Sequence, residues 1–511
     1  SGLLAARIAA RASVGFAANL REDMYNNVQT FAFSNIDKFS TASIVTRLTT
    51  DTTNVQNAFQ MLIRMAIRAP VMLIFSMIVS FRISRDISMT FLIILPILAL
   101  ALFFIIRSVF PVFSRVFRTY DELNNVVQEN VRGIRVVKSF NQERHEIGKF
   151  GAISERIYKD FSKGERLITL NAPLMQFCIY TCMIIISWLG AKAIIASGND
   201  PALGLTTGNL TALITYTMQI LSSLMMVFAM LTISLSSARR IAEVLEERSD
   251  IPQPEQPVMT VRDGAVDFDH VSFVYASKAD KKVLDDIDLH IHSGETIGVI
   301  GGTGASKSSL VQLIPRLYDV TGGKLTLGGV DVRDYDLDTL RGAVAMVLQK
   351  NELFSGTIAE NLRWGNENAT DEQLRHACKL ACADGFISAM PDGYDTHIEQ
   401  GGTNVSGGQK QRLCIARALL KKPKVLILDD STSAVDTRTD AQIQQALSTY
   451  IPDTTKIIIA QRISSVQNAD RIVVLDDGRI DAVGCHDELL RTCEIYREVY
   501  ESQQKGGEDD A

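Results

Sequence analysis

Cysteine is scarce in this sequence, and its spacing argues against a metal site. The chain has seven cysteines among 511 residues, an odd number with no CxxC pair. Two pairs, Cys178/Cys182 and Cys378/Cys382, are spaced i,i+4 on predicted helices, but the sequence around them contains no recognisable set of metal ligands. We interpret the cysteines as small apolar packing residues in a reducing compartment.

An excess of basic charge is also lacking. Lysine and arginine number 52 against 58 aspartates and glutamates, a net charge of −6, so the sequence predicts no nucleic-acid partner. The acidic C-terminal segment 504–511 is predicted to be a solvated, disordered tail. No secretory signal peptide is recognisable. Because the chain opens at Ser1, without methionine, in a polar helical pattern, we expect a natural start to precede it.

Long apolar runs are concentrated in the first half of the chain. Hydrophobic residues make up 46% of the sequence and the mean hydropathy is +0.10, averages that suit a membrane part joined to a soluble part. Spanning a bilayer takes about 20 mostly apolar residues, and residues 1–60 are too polar to do so. Four runs of sufficient length follow, at about 61–81, 87–110, 167–196 and 210–233.

The charges between the runs predict their orientation. Residues 113–166, between the second and third runs, carry eleven arginines and lysines, which is typical of a cytoplasmic segment. The short links 82–86 and 197–201 then lie outside. Buried helices of a soluble protein produce similar runs, but four of them with this asymmetry favour a multi-pass protein in the lipid bilayer of the cell membrane.

A change of pattern marks a second domain. Pro252, Pro254 and Pro257 indicate a linker at 246–262, which separates a membrane domain at 1–245 from a domain at 263–503. In the latter, short β-rich runs alternate with amphipathic helices, which predicts an α/β fold with a mainly parallel sheet.

A glycine-rich loop follows one of these predicted strands. A strand that runs into such a loop and then a helix can cradle phosphates with backbone N–H groups, with Lys307 reaching the β- and γ-phosphates and Ser308 binding Mg²⁺. Ser306 stands where glycine is usual before the lysine, although serine at a helix start can also cap it. A plain glycine-rich turn is the alternative. The loop comprises Gly301, Gly302, Thr303, Gly304, Ala305, Ser306, Lys307, Ser308 and Ser309.

Further segments, in a fixed order along the chain, strengthen the nucleotide interpretation. Val425–Leu428 is a buried-type strand that ends in the carboxylate Asp429, an arrangement suited to Mg²⁺, and Gln349 follows another predicted strand. The run Ser406, Gly407, Gly408 and Gln409 opens a helix, and Ser433–Asp436 follows the carboxylate. With the loop, these segments resemble the ABC transporter superfamily, exporter type.

The resemblance covers the whole chain and implies a helical membrane domain followed by a P-loop ATPase domain. It implies that ATP and Mg²⁺ are bound, with Ser308, Gln349 and Asp429 at the metal. It also implies that Tyr275 stacks on adenine and that Ser406–Gln409 contacts a nucleotide held by a second exporter half. Ser34–Phe39 and the region around Gly133–Phe140 resemble the two cytoplasmic coupling helices. Each half of this family has six spans, so four visible spans imply an N-terminally truncated sequence.

Two positions depart from the family pattern. Asp430 stands where the family has the glutamate that polarises the attacking water, and Gln461 stands where it has a histidine. Aspartate is shorter by one methylene, and glutamine has no titratable imidazole. With Gln349, these residues form a degenerate catalytic set that resembles one subunit of a heterodimeric bacterial exporter, whose partner would carry glutamate and histidine. Hydrolysis at this chain's own site would then be weak.

Three readings of function remain open from the sequence. The first is a heterodimeric exporter subunit that moves a small amphipathic molecule, drug, lipid or peptide. The second is a homodimeric exporter with slow ATPase, and the third is a nucleotide-gated regulatory subunit. Arg64 and Arg68 share one face of the first run and predict either a cationic cavity wall or snorkelling at the membrane edge. The last run carries flexible methionines that suit varied apolar substrates, namely Met218, Met225, Met226 and Met230, with Gln219 and Ser222.

Overall fold

The chain forms two compact units. The computed structural model describes residues 2–200, 205–233, 235–275, 282–302, 304–431 and 434–508. The first unit contains Ser1–Gln29 and Thr41–Glu247, and the second contains Thr30–Ser40 and Arg248–Ala511. The second unit therefore takes up a short segment from within the predicted membrane domain 1–245.

The described part of the first unit is helical throughout, in line with its long apolar and amphipathic runs. One turn, Arg47–Asp51, is π-helical and leads directly into a 32-residue helix. The helices are α1 (Gly2–Gln29), α3 (Thr41–Thr46), α4 (Thr52–Ile83), α5 (Arg85–Arg132), α6 (Ile134–Ser139), α7 (Glu143–Thr169), α8 (Asn171–Ser197), α9 (Thr207–Ile233) and α10 (Leu235–Glu246).

All four predicted membrane runs fall in these helices. Among the described residues, α5 (Arg85–Arg132) and the stretch Glu143–Ser197, which comprises α7 and α8, are long and apolar enough to cross a membrane. The apolar part of α4, Pro70–Ile83, is shorter. Large apolar side chains such as Ile97 on α5 and Ile184 on α8 are exposed, as expected where lipid is the surrounding solvent. Arg64 on α4 is exposed as well. The side chains of Arg68, Met225, Met226 and Met230 lie outside the described residues.

The described part of the second unit contains two larger sheets and a short one. A six-stranded sheet has the order β12-β11-β3-β10-β9-β6 and is parallel except for the antiparallel edge strand β12. An antiparallel sheet has the order β2-β1-β4-β5, and β7 pairs with β8. The strands are β1 (Val266–Phe273), β2 (Leu284–Ile291), β3 (Thr296–Gly301), β4 (Gly322–Leu327), β5 (Val330–Asp331), β6 (Val344–Val347), β7 (Gly356–Thr357), β8 (His397–Ile398), β9 (Val425–Asp429), β10 (Thr455–Ile459), β11 (Arg471–Asp476) and β12 (Arg479–Gly484).

Helices surround these sheets, and the last one extends into the predicted tail. The last helix, α19, runs to Glu508 and so covers 504–508 of the predicted tail, while 509–511 lie outside the described residues. The helices are α2 (Phe33–Lys38), α11 (Lys307–Leu313), α12 (Leu337–Ala343), α13 (Ile358–Arg363), α14 (Asp371–Leu380), α15 (Asp384–Ser388), α16 (Gly407–Leu420), α17 (Thr437–Tyr450), α18 (His486–Thr492) and α19 (Glu494–Glu508).

The strand register brings the nucleotide motifs to one edge of the parallel sheet. Ile459 pairs with Val299 on one side and with Asp429 on the other. The carboxyl ends of β3, β9 and β10 therefore meet, and the loops that follow them converge where ligands bind in open parallel sheets.

Candidate nucleotide-binding site

The glycine-rich loop lines a pocket at this edge. The interior of β3 is buried, and the pocket is lined by Gly301, Gly302, Gly304, Ala305, Ser306, Lys307, Ser308, Ser309, Gln349, Asp429, Asp430, Ile459 and Gln461. Thr303 lies outside the described residues. Sequence reasoning predicted all of these except Ile459, whose role is to end β10 beside the loop.

Lys307 is turned back onto its own loop. Its Nζ donates to the carbonyl oxygens of Gly301 at 2.7 Å and Gly302 at 2.9 Å. Burial lowers the pKa of Lys307, while the nearby carboxylates Asp429 and Asp430 oppose that shift. A phosphate that enters the pocket would replace the two carbonyls as the partner of this ammonium group.

The two residues predicted to bind Mg²⁺ are in contact. The Oγ of Ser308 donates to Oδ1 of Asp429 at 3.1 Å. Burial raises the pKa of Asp429, as does Asp430, whereas Ser308 and Lys307 lower it. A bound divalent cation would compensate the buried carboxylate, and a hydroxyl and a carboxylate are the hard oxygen ligands that Mg²⁺ prefers. The residues therefore fit the metal that the sequence predicts.

Asp430 lies between two amide side chains. Its backbone is left-handed, with φ +49°, directly after β9. Its Oδ2 accepts hydrogen bonds from Nε2 of Gln461 at 2.7 Å and from Nε2 of Gln349 at 3.4 Å. The structure thus brings together the three residues of the predicted catalytic set.

Gln503 on α19 holds the backbone next to the catalytic set of Asp430, Gln461 and Gln349, and the sequence did not predict this role. Its Nε2 donates to the backbone carbonyl of Gln461 at 2.7 Å, and its Oε1 accepts from the backbone N–H of Ile463 at 2.9 Å. No motif surrounds Gln503, so only the three-dimensional placement of the last helix reveals that it fixes the Gln461 backbone.

Ser306 adopts a conformation that glycine favours. Its φ is +68°, and although it occupies the N-cap position of α11, its side chain accepts no capping hydrogen bond. Ser306 therefore does not cap the helix, although a serine at a helix start can do so. The left-handed backbone explains why glycine is the usual residue here, because a Cβ atom is sterically disfavoured at positive φ.

Tyr275 lies beside the loop helix but outside the lining of the phosphate pocket. Its hydroxyl is 2.9 Å from Oγ of Ser309 and its ring is perpendicular to that of Tyr318, with centroids 5.1 Å apart. Burial raises the pKa of Tyr275. In this arrangement the tyrosine is anchored to the loop helix, and its predicted stacking on adenine stays a prediction.

The glycine-rich run Ser406–Gln409 opens α16 as the sequence predicts. Ser406 is the N-cap, and a capping box links it reciprocally to Gln409, at 3.3 Å and 2.9 Å. A Cβ atom on Gly408 would lie 2.8 Å from the carbonyl oxygen of Ala434, so only glycine fits this approach. The described lining of the phosphate pocket contains none of Ser406–Gln409.

The described part of the segment Ser433–Asp436 links α16 to α17. The backbone N–H of Ala434 donates to Oε1 of Gln411 at 3.0 Å, and Asp436 caps α17 through the N–H of Thr439 at 2.9 Å. Ser433 lies outside the described residues.

Comparison with known proteins identifies the family. Residues 1–224 match the family described as ABC transporter transmembrane region, and residues 284–433 match the family described as ABC transporter. An uncharacterized ABC transporter ATP-binding protein of Bacillus subtilis, YfiB, is 36% identical over 506 residues, which cover 98% of this chain and 87% of the relative. The chain belongs to the ABC transporter family.

Other relatives of this ABC transporter extend the likeness to exporters. An ATP-dependent lipid A-core flippase of Desulfotalea psychrophila is 32% identical over 91% of the chain and 80% of the relative. The solved structure of a bacterial Atm1-family ABC exporter with ATP bound has a TM-score of 0.85 over 96% of this chain and 86% of that one, at 24% identity. The fold is therefore that of an exporter half, with a helical transmembrane region followed by an α/β ATPase domain.

These findings confirm the coarser predictions. The chain is an ABC transporter with the fold of one exporter half, which implies a dimer partner, and its ABC domain, on the cytoplasmic side of the membrane, binds ATP.

Proposed function

We propose that this chain is the degenerate-site subunit of a heterodimeric ABC exporter. ATP would bind at its own phosphate pocket and turn over slowly there. The observation that carries the proposal is the pair of amide hydrogen bonds to Asp430, from Gln461 at 2.7 Å and from Gln349 at 3.4 Å.

These contacts weaken general-base catalysis for a geometric reason. A base must lie within hydrogen-bond reach of the water whose proton it accepts, and such catalysis contributes about 10²–10⁴-fold. Here one oxygen of the short Asp430 side chain is engaged by two amides, and Gln461 offers an amide in place of an imidazole that can titrate.

The residues that would bind ATP and Mg²⁺ are retained in this chain. Lys307 and the loop backbone would hold the phosphates, and Ser308, Asp429 and Gln349 would hold Mg²⁺. When bound, Mg²⁺ neutralises charge on the β- and γ-phosphates. Ser406–Gln409 would complete the partner's site, because an ordered helix N-terminus favours a phosphate anion.

The exported molecule is proposed to be small and amphipathic, of the drug, lipid or peptide class. The relative in Desulfotalea psychrophila is named for lipid A-core flipping, which supports an amphipathic cargo.

The test is the ATPase rate of the purified chain without a partner. We expect bound ATP, a slow rate, and little change in that rate in Asp430→Asn. Lys307→Ala should abolish nucleotide binding and serves as the control. A fast rate that Asp430→Asn abolishes would contradict the proposal.

A further inference from the structure

A second cavity of the same unit lies between α17, the strand β10 and the segment that precedes β11. Its volume of about 500 Å³ falls within the range of about 300–1,000 Å³ that is usual for small-ligand sites. It shares no lining residue with the phosphate pocket. The lining residues are Thr296, Thr437, Asp440, Ala441, Gln444, Gln445, Ser448, Lys456, Ile458, Ser464, Ser465, Gln467, Asn468 and Ala469.

The lining of this cavity is polar. Side-chain amides come from Gln444, Gln445, Gln467 and Asn468, and hydroxyl groups line it as well. Each amide side chain offers both donors and an acceptor, the same two functions that a peptide backbone carries. The cavity therefore favours a polar ligand with amide groups over an apolar one.

A buried carboxylate marks one end of the cavity. Asp440 lies in the first turn of α17 and is 7% exposed. It accepts hydrogen bonds from Oγ of Ser465 at 2.6 Å and from Nε2 of Gln444 at 3.4 Å. Both donors are neutral, so the described residues give this carboxylate hydrogen bonds but no ion pair.

A buried ammonium group marks the other end. Lys456 on β10 is 3% exposed, and among the described residues its Nζ has one hydrogen-bond partner, the carbonyl of Thr454 at 2.9 Å. The N–H of Thr454 in turn donates to the carbonyl of Ile451, the residue that follows α17. Burial lowers the pKa of Lys456, while Asp470 and Asp453 oppose that shift without forming an ion pair with it.

The spacing of these two charges excludes a single amino acid as the ligand. The ten residues from Asp440 to the end of α17 at Tyr450 span about 15 Å, at about 1.5 Å per helical residue. Asp440 and Lys456 form no ion pair with each other. An extended peptide of about four residues covers about 14 Å and so matches the distance.

We propose that this cavity binds a short peptide of about four residues, whose N-terminal ammonium group pairs with Asp440 and whose C-terminal carboxylate pairs with Lys456. Two buried charges without ionic partners are costly, and this ligand supplies a partner to each of them. The amide side chains between the two ends would bond the peptide backbone. The inference does not depend on the proposed function, because the cavity is separate from the phosphate pocket.

The test is isothermal titration calorimetry of the full chain in detergent with tetraalanine, which carries charge at its two ends only. Tetraalanine should bind, and N-acetyl-tetraalanine and tetraalanine amide should each bind about tenfold more weakly, since each lacks one charged hydrogen bond. These capped peptides test both contacts on the unaltered protein, without any substitution.

Two variants then assign the contacts to the cavity. Lys456→Met should bind tetraalanine about tenfold more weakly and should no longer distinguish it from the amide. Asp440→Asn should do the same for tetraalanine and its N-acetyl form. Lys421→Met is the matched control, because Lys421 also donates to a backbone carbonyl, that of Val344 at 3.1 Å, but lies outside the lining of the cavity. It should bind all three peptides as the unaltered protein does.

The results that would overturn the inference are specific. Tetraalanine that fails to bind at millimolar concentration would do so, and so would equal affinity for the free and the capped peptides. Unchanged affinity in Lys456→Met and Asp440→Asn would place the bound peptide elsewhere, for example in the membrane domain. Asp440 and Lys456 would then only complement the dipole of α17.

Discussion

At the residue scale, the phosphate loop carries a serine in a backbone conformation that glycine adopts without steric cost. Ser306 has φ +68° and gains no capping hydrogen bond in return. A non-glycine residue in the left-handed region costs about 1 kcal/mol or more.

We therefore predict that Ser306→Gly stabilises the protein by about 1 kcal/mol. The measurement is the apparent melting temperature in detergent, which should rise, with ATP binding retained. The control is Ser448→Gly, inside α17, which should lower it by a similar amount because glycine is a poor helix former. A lower melting temperature for Ser306→Gly would show that the serine has a stabilising contact.

The second prediction at this scale concerns the catalytic pair. Replacing Asp430 with glutamate and Gln461 with histidine together should raise hydrolysis at this chain's site by about 10²-fold, the lower end of the range for general-base catalysis. The measurement is ATPase of the complex with a partner whose own catalytic glutamate is replaced by glutamine, so that the rate reports only this chain's site. Asp430→Asn in the same background is the control and should leave the low rate unchanged. If the double variant hydrolysed ATP no faster, Asp430 and Gln461 would not be the cause of the slow rate.

The pocket-lining residues other than Ile459 could be predicted from the sequence because they lie where a recognisable strand ends or a helix begins. The parallel register of β3, β9 and β10 then places Lys307, Asp429 and Gln461 next to one another. The left-handed turn at Ser306 and the support from Gln503 could not be predicted. Backbone dihedrals depend on the closed loop, and Gln503 reaches the site only through the packing of the last helix.

At the scale of elements, the π-helical turn before α4 carries a buried carboxylate that is paired with a half-exposed arginine. Asp51 is 1% exposed, and its carboxylate accepts hydrogen bonds from Nε of Arg240 at 2.7 Å and from Oγ of Ser237 at 3.1 Å. Arg47 from the same turn donates to the carbonyl of Arg240 at 2.8 Å. The turn and α10 are therefore fastened together by charged groups within the first unit.

Asp51→Ala should destabilise the protein by about 2 kcal/mol, less than the loss of a fully buried pair because the Arg240 side chain remains 44% exposed. The measurement is again the apparent melting temperature. Glu243→Gln is the control, since Glu243 pairs with Arg47 from a side chain that is 48% exposed, and it should cost about 0.5 kcal/mol or less. Equal shifts in the two variants would mean that the Asp51 pair contributes no more than a surface pair.

The sequence predicted the helices of the first unit better than it predicted which unit each helix joins. The break near Ser34 indicated a separate short helix, but nothing in its composition shows that Asn35 hydrogen-bonds to the backbone of Arg248 and Asp250, or that Asp37 accepts a hydrogen bond from Tyr318. Long-range pairing of this kind follows from topology, and local periodicity carries no information about it.

At the scale of the whole molecule, we propose that the phosphate pocket and the helix start Ser406–Gln409 serve different nucleotides. The phosphate pocket holds the Asp430 cluster, and the described lining of that pocket excludes Ser406–Gln409. The capping box at Ser406 is intact, so the helix that would complete the partner's site is well formed.

The last prediction compares the helix start at Ser406 with the Asp430 cluster. In the complex with the partner, Ser406→Ala should lower ATPase and transport by on the order of 10²-fold, as the loss of one donor to a developing charge does, whereas Asp430→Asn should change both little. Part of the Ser406→Ala effect comes from the lost helix cap, which is worth about 1 kcal/mol. Ser406→Asn separates the two contributions, because asparagine also caps helices well but lacks the hydroxyl. If Ser406→Asn restored full activity, the loss of activity in Ser406→Ala would be due to the lost helix cap. If Ser406→Ala and Asp430→Asn lowered activity equally, the two sites of the dimer would be equivalent and the heterodimer proposal would fail.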